Sequence, residues 1–261
     1  MEKIAVCGKG GSGKSVMTGL LAKGIQKRGR KVLVIDGDES NTGLYRLLGF
    51  DTPPEPLIEF MGGKIKVEEE IVEKIKSGVP ELSVQLFGRE ISVADIPNQY
   101  LRQKNGMGFV AIGKILMALE GCACPMGIVG RSFLKKLRLG TNEITIMDME
   151  AGVEHFGRGV ETGVDCVLIV VDPSLDSLEI AGRIGQLSNQ MAIGDVWAIL
   201  NKIPSEKFAT RLTGELKDRG VSVIGSIRQD PQIFESCLEG NLLAGPLAQE
   251  DVEKVIDSLF P

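Results

Sequence analysis

No apolar stretch in this 261-residue sequence is long enough to span a bilayer. The longest, 164–171, already includes Asp165. No basic leader precedes an apolar run at the N-terminus, so no signal peptide is expected. Nor is there an excess of positive charge: 30 Lys and Arg stand against 35 Asp and Glu, a net charge of −5. That balance removes the electrostatic footprint typical of nucleic-acid binding, and neither nucleic acid nor membrane is expected as a partner. Histidine occurs once, as His155. The five cysteines have no secretory context, which points to reduced thiols or a metal site in the cytoplasm, not to a disulfide framework. With 43% hydrophobic and 25% charged residues, the chain is neither disordered nor fibrous.

What is present is an alternation of short apolar runs with longer amphipathic ones. Strands are expected over 4–7, 31–35, 143–147, 166–171, 196–200 and 221–224, and helices over 15–28, 174–190, 205–219 and 230–238. Several strands are apolar on both faces, as buried parallel strands are. The pattern predicts an α/β fold with a mostly parallel central sheet flanked by helices, in one domain over 1–261. An insertion over about 51–100, opened by Thr52-Pro53-Pro54-Glu55-Pro56, is expected to be irregular.

The strongest motif is Gly8-Lys9-Gly10-Gly11-Ser12-Gly13-Lys14-Ser15, a full Walker A spacing between an expected strand and an expected helix. Glycines let backbone N–H groups converge on phosphate oxygens, and the helix N-terminus favours the anion. Lys14 is placed to neutralise the terminal phosphates and the Ser15 hydroxyl to ligate Mg²⁺. Asp36-Gly37-Asp38 and Asp148-Met149-Glu150-Ala151-Gly152 each end a strand, which puts their carboxylates at the ligand edge of the sheet. Asn201-Lys202 lacks the aspartate of a guanine-reading N-K-x-D motif, Pro204 standing in its place, which favours ATP over GTP.

Among the cysteines, Cys7, Cys166 and Cys237 fall in apolar patterns and read as small buried hydrophobes. Cys122 and Cys124 differ. They lie in Gly121-Cys122-Ala123-Cys124-Pro125, between expected helices over 109–119 and 128–139, in a segment of about 107–139. Two residues apart on an extended chain, both thiols face one side. Such a pair supplies half of a tetrahedral site, which a second copy of the chain could complete. Zn²⁺, Ni²⁺ and Cu⁺ all suit such thiolates.

The extra lysine of the P-loop, Lys9, makes the motif resemble the deviant Walker A ATPases, the class that includes MinD, ParA and the nitrogenase iron protein. In that class the equivalent of Lys9 reaches the nucleotide of a partner subunit, which implies a homodimer. The resemblance makes Asp38 the switch I aspartate that orients the attacking water. It makes Asp148 a water-mediated Mg²⁺ contact, Gly152 a sensor of the γ-phosphate, Asn201 an adenine contact and Asp230 a second base contact. Together with Gly-Lys…Glu-Gly-Cys-x-Cys-Pro, the run 148–159 resembles the CooC-type nickel-insertion ATPases. That branch implies a slow ATPase that carries Ni²⁺, with Zn²⁺ possible in the same site, to a nickel enzyme such as carbon monoxide dehydrogenase. A MinD- or ParA-like positioning ATPase is the alternative, opposed by the acidic 249–261 tail and the overall negative charge. An iron–sulfur electron-transfer protein is another, opposed by the tight C-x-C spacing.

Overall fold

A computed structural model of the protein describes residues 1–115 and 124–261. The elements run β1 Lys3–Gly8, α1 Lys14–Lys27, β2 Lys31–Asp36, α2 Leu44–Leu47, α3 Leu57–Phe60 and α4 Lys64–Lys76. They continue with β3 Ile91–Ser92, β4 Arg102–Lys104, β5 Met107–Ala111, α5 Cys124–Lys136, β6 Leu137–Arg138, β7 Glu143–Asp148 and α6 Glu154–Gly157. β8 Cys166–Val171, α7 Leu175–Gln190, β9 Asp195–Ile203, α8 Glu206–Asp218, β10 Ser222–Arg228, α9 Pro231–Glu239 and α10 Pro246–Leu259 follow. Eight strands form one sheet in the order β10-β9-β8-β1-β7-β2-β5-β4, parallel throughout except for the antiparallel edge strand β4. β3 and β6 pair separately.

Both faces of the sheet are covered, which is why its strands read as continuous apolar runs. Ile4, Val6, Val32 and Val34 pack on one face against Met17, Leu21 and Ile25 of α1 and Val252, Val255 and Ile256 of α10. Ala5, Cys7, Leu33 and Ile35 face the other side, toward Val129, Phe133 and Leu134 of α5 and Leu178, Ala181 and Ile184 of α7. Each large buried aliphatic side chain contributes about 1.5–3 kcal/mol relative to exposure. The 249–261 segment, unmarked in the sequence as a helix, is therefore a core element. No helix among the described residues is long and apolar enough to cross a membrane.

Two expectations are corrected. Residues 107–111 form β5, not the start of a helix, and residues 116–119 lie outside the described part. All five residues of β5 are buried, and a run apolar on every side carries no period to separate strand from helix. The 51–100 insertion is not irregular throughout, because it contains the 13-residue helix α4. Val67 and Ile71 of α4 are buried in the same core as α5, so the insertion packs on the helix that begins at Cys124.

Register decides what meets at the carboxyl edge. Val6 of β1 pairs with Asp148 of β7, and Asp148 pairs with Asp36 of β2. β1 is flanked by β8 on one side and β7 on the other, so the loop after β1 opens at the crevice where the chain changes direction across the sheet.

Candidate active site

The loop from Gly8 to Gly13 turns directly into α1, with Gly13 at the N-cap in a left-handed conformation (φ 99°). Two constraints require glycine there. An L side chain is strained at that φ, and a Cβ would sit 2.3 Å from Asn201 Nδ2. Within the loop the Ser12 N–H donates to the Lys9 carbonyl (3.2 Å), and the buried Lys14 ammonium donates to the same carbonyl (3.3 Å). Gly10 and Gly11 complete the turn. Gly152 lies beside it, its N–H donating to the Gly8 carbonyl at 3.2 Å, so the 148–152 loop, which corresponds to switch II in the class the motif resembles, is tied to the base of the P-loop.

Ser15, on the first turn of α1, faces the acidic strand ends. Its hydroxyl donates to Asp148 Oδ2 (2.6 Å) and accepts from Asn41 Nδ2 (2.7 Å). Asp148 is fully buried, and its Oδ1 has no hydrogen-bond partner among the described residues. Burial, and then the negative charge of Asp36, push its carboxyl up to about 7. A hydroxyl beside a buried carboxylate with a spare oxygen is a hard oxygen set short of a positive charge, which fits Mg²⁺. Ser15 and Asp148 would hold the ion, and it would neutralise phosphate charge.

Asp38 is buried and its Oδ1 accepts from both the N–H (2.9 Å) and the hydroxyl (2.6 Å) of Ser40. Asp36 accepts from the Asp38 N–H (3.2 Å) and from Lys114 (2.6 Å). Burial outweighs that lysine and raises Asp36 to about 6. Glu39 is also pushed up to about 7, first by burial and then by a hydrogen bond with Glu150, so a shared carboxyl pair joins switch I to switch II.

A cavity of about 570 Å³ opens beside the P-loop, lined by Gly13, Asn201, Lys202, Gln229, Pro231 and Phe234. Asn201 lies inside β9, two residues before its last residue, Ile203, not after the strand. Its Nδ2 donates to the Ser12 carbonyl (2.8 Å), and Lys202 reaches the Gly11 carbonyl (2.6 Å). Asp230 borders the cavity, but its carboxylate is committed elsewhere. Oδ1 caps α9 through the Gln232 N–H (3.0 Å), and Oδ2 accepts from the N–H groups of Leu247 (3.0 Å) and Ala248 (3.1 Å). It thereby anchors α9 to α10 from the wall of the cavity. Cys237 is likewise corrected: it is exposed on α9 at the cavity, whereas Cys7 and Cys166 are buried. Burial pushes the Cys166 thiol up to about 12, which leaves it unreactive.

Lys9 points along its own chain. Its ammonium donates to Ser174 Oγ (3.2 Å) and lies 3.8 Å from the Asp172 carboxylate. Cys124 begins α5 and is disulfide-bonded, while Cys122 lies outside the described residues. Arg158 links this helix to switch II. It pairs with the Glu150 carboxylate, and its side chain fills the space over Gly127, where a Cβ would come 2.7 Å from Arg158 Cδ. His155 is buried and hydrogen-bonds the Gly152 carbonyl (3.1 Å), a role within the switch II turn. No group of three or more His, Cys, Asp or Glu able to hold a metal occurs among the described residues.

Sequence reasoning assigned no site role to Asn41, Lys114, Lys202 or Arg158, although the last three stand within motifs it singled out. Asn41 lies three residues after Asp38 and Lys202 is part of the Asn201-Lys202 motif, so their positions were an available signal. Nothing in the sequence alone pairs Lys114 with Asp36, 78 residues away.

Residues 3–243 match the family described as the CobQ/CobB/MinD/ParA nucleotide binding domain. The chain is 41% identical over 255 residues to an uncharacterized ATP-binding protein of Methanocaldococcus jannaschii, covering 97% of this chain and 99% of that one. It is 34% identical over 208 residues to the carbon monoxide dehydrogenase accessory protein CooC of Rhodospirillum rubrum, covering 78% and 75%. Its fold matches the septum site-determining protein MinD of Pyrococcus horikoshii, solved with Mg-ADP, with a TM-score of 0.69 at 17% identity over 99% of this chain and 96% of that one. With a P-loop at the switch point of the sheet and buried carboxylates facing it, the chain belongs to the CobQ/CobB/MinD/ParA nucleotide-binding family and is a P-loop ATPase.

Proposed function

We propose that the protein is an ATP-driven metallochaperone that holds nickel between two copies of the chain and releases it to a nickel enzyme, in the cytoplasm. The similarity to CooC over 78% of the chain favours carbon monoxide dehydrogenase as the client. The observation that carries the reading is the placement of Cys124 at the head of α5, whose first turn packs on the switch II arginine, Arg158. The chain from nucleotide to thiol is then short: Gly152 against Gly8, Glu150 to Arg158, and Arg158 on Gly127. A change in switch II on hydrolysis moves the base of the cysteine segment, and a two-fold site made from two such segments opens or closes.

In this reading Lys14 and the glycine-rich loop hold the phosphates, and Asp38 orients the water that attacks the γ-phosphorus. Gly152 exchanges its Gly8 contact for the γ-phosphate, and Lys9 leaves Ser174 and Asp172 for the partner's nucleotide. Asn201 reads adenine from the mouth of the cavity. Nickel and zinc compete for the same thiolates, which must be reduced to bind.

Reduced protein loaded with Ni²⁺ tests the reading through transfer to a chromogenic chelator. Transfer is expected to be about tenfold or more faster during ATP turnover than with a non-hydrolysable analogue. Equal transfer rates would remove the link between hydrolysis and metal release. The base has its own test. The adenine reading predicts GTP binding at least about tenfold weaker than ATP by calorimetry, since a missing base hydrogen-bond partner is worth more than that factor. Equal affinities would contradict the assignment of Asn201.

A further inference from the structure

Lys114 follows β5 on the segment that leads toward Cys124. Its side chain is only 11% exposed, and its ammonium is surrounded by oxygens of one loop. It donates to Asp36 Oδ2 (2.6 Å), to the Asp38 carbonyl (2.5 Å) and to the Asn41 carbonyl. An ammonium has three N–H donors, so the 36–41 loop engages all of them. The flanking backbone follows the same loop, with the Ile112 N–H donating to the Asp36 carbonyl (2.9 Å) and the Ile115 N–H to the Glu39 carbonyl (3.2 Å).

The residues gripped by their carbonyls belong to the loop that meets the P-loop through Asn41. Asn41 reaches the Ser15 hydroxyl, and Asp38 stands three residues before it on the same loop, its buried carboxylate accepting from Ser40. A buried cation needs a paired anion, and Asp36 alone would satisfy that need. The two carbonyl contacts add something else, because they fix the backbone on which Asp38 stands. We propose that Lys114 is a positioning residue for ATP hydrolysis, and that its grip on the 36–41 loop sets where the Asp38 carboxylate stands over the P-loop. Its ammonium makes its contacts to the loop and not to the phosphate-binding glycines, so its effect falls on turnover and spares nucleotide binding.

The inference rests on the hydrolytic role of Asp38, and the two are separated by assaying Asp38→Asn beside the Lys114 variants. Steady-state phosphate release is expected to show kcat lowered about 100-fold in Lys114→Met with KM for ATP changed by less than about threefold, since a misplaced catalytic group costs that much. Lys114→Arg, which keeps charge and donors, is expected to recover about tenfold of the loss. Lys114→Met leaves the Asp36 carboxylate buried without its cation, so Asp36→Asn/Lys114→Met is measured against Asp36→Asn alone to guard against misfolding. That comparison is expected to retain a drop of about tenfold or more, because removing the charge imbalance does not restore the two carbonyl tethers. A Lys114→Met kcat within about threefold of wild type, or a double variant equal to Asp36→Asn, would overturn the proposal. So would a parallel loss of ATP affinity, which marks a structural role. If Asp38→Asn itself turns over normally, the hydrolytic reading of Asp38 fails and the inference fails with it.

Discussion

Asp38→Asn is expected to bind ATP with nearly unchanged affinity while losing turnover by about 10²–10³-fold, the scale for removing a group that manages a proton in the transition state. Asparagine keeps the shape of the side chain and a carbonyl oxygen that can still accept from Ser40, now held by the Asp38 carboxylate at 2.9 and 2.6 Å. What is lost is the negative charge that, in the proposed mechanism, orients water against the γ-phosphate. The residue is buried two residues beyond the end of β2, on the loop whose Asn41 reaches the Ser15 hydroxyl. Phosphate release measured beside calorimetric ATP affinity separates the two effects. Unchanged turnover would remove Asp38 from the chemistry, and a large loss of affinity would make it a binding residue instead.

Cys122→Ala together with Cys124→Ala is expected to abolish metal-driven dimerisation and to leave ATP binding by the monomer intact. In the proposed site each reduced chain would offer two thiolates, so four ligands around a two-fold axis would require both copies. With neither thiol present, bound metal falls from about one ion per two chains to none. Lys9→Ala is the mirror experiment. The Lys9 ammonium now rests on Ser174 and Asp172 of its own chain, and if it reaches the partner as proposed, the variant is expected to weaken an ATP-driven dimer while sparing a metal-driven one. Sedimentation with metal and with ATP, each alone, reads both variants under reducing conditions, which the disulfide at Cys124 makes necessary.

The parts of this molecule that were legible in its sequence are those with local rules. Gly8 to Ser15 states its own geometry, because glycine at Gly13 is demanded by φ and the motif sits between a strand and a helix whose periods are readable. The strand-end placement of Asp36 and Asp148 also followed, since apolar runs that stop at an acid end at the sheet edge. Other features depend on contacts between distant segments. β5 was invisible as a strand because every face of Met107–Ala111 is covered, leaving no alternation to detect. The anchoring of α9 to α10 by the Asp230 carboxylate was not legible, because no local pattern links the amides it accepts from. The pairing of Lys114 with Asp36, and of Arg158 with Glu150 over Gly127, likewise arises from tertiary packing alone.

The central claim, a metal shared by two copies of the chain and coupled to ATP, is tested most directly by light scattering with metal analysis on the same fractions of reduced protein. The account predicts a dimer carrying about one nickel or zinc ion per two chains, formed more readily when ATP is present, because two ligands that favour one state strengthen each other. A stable monomer holding one metal ion per chain would contradict the shared site, even with both cysteines as ligands.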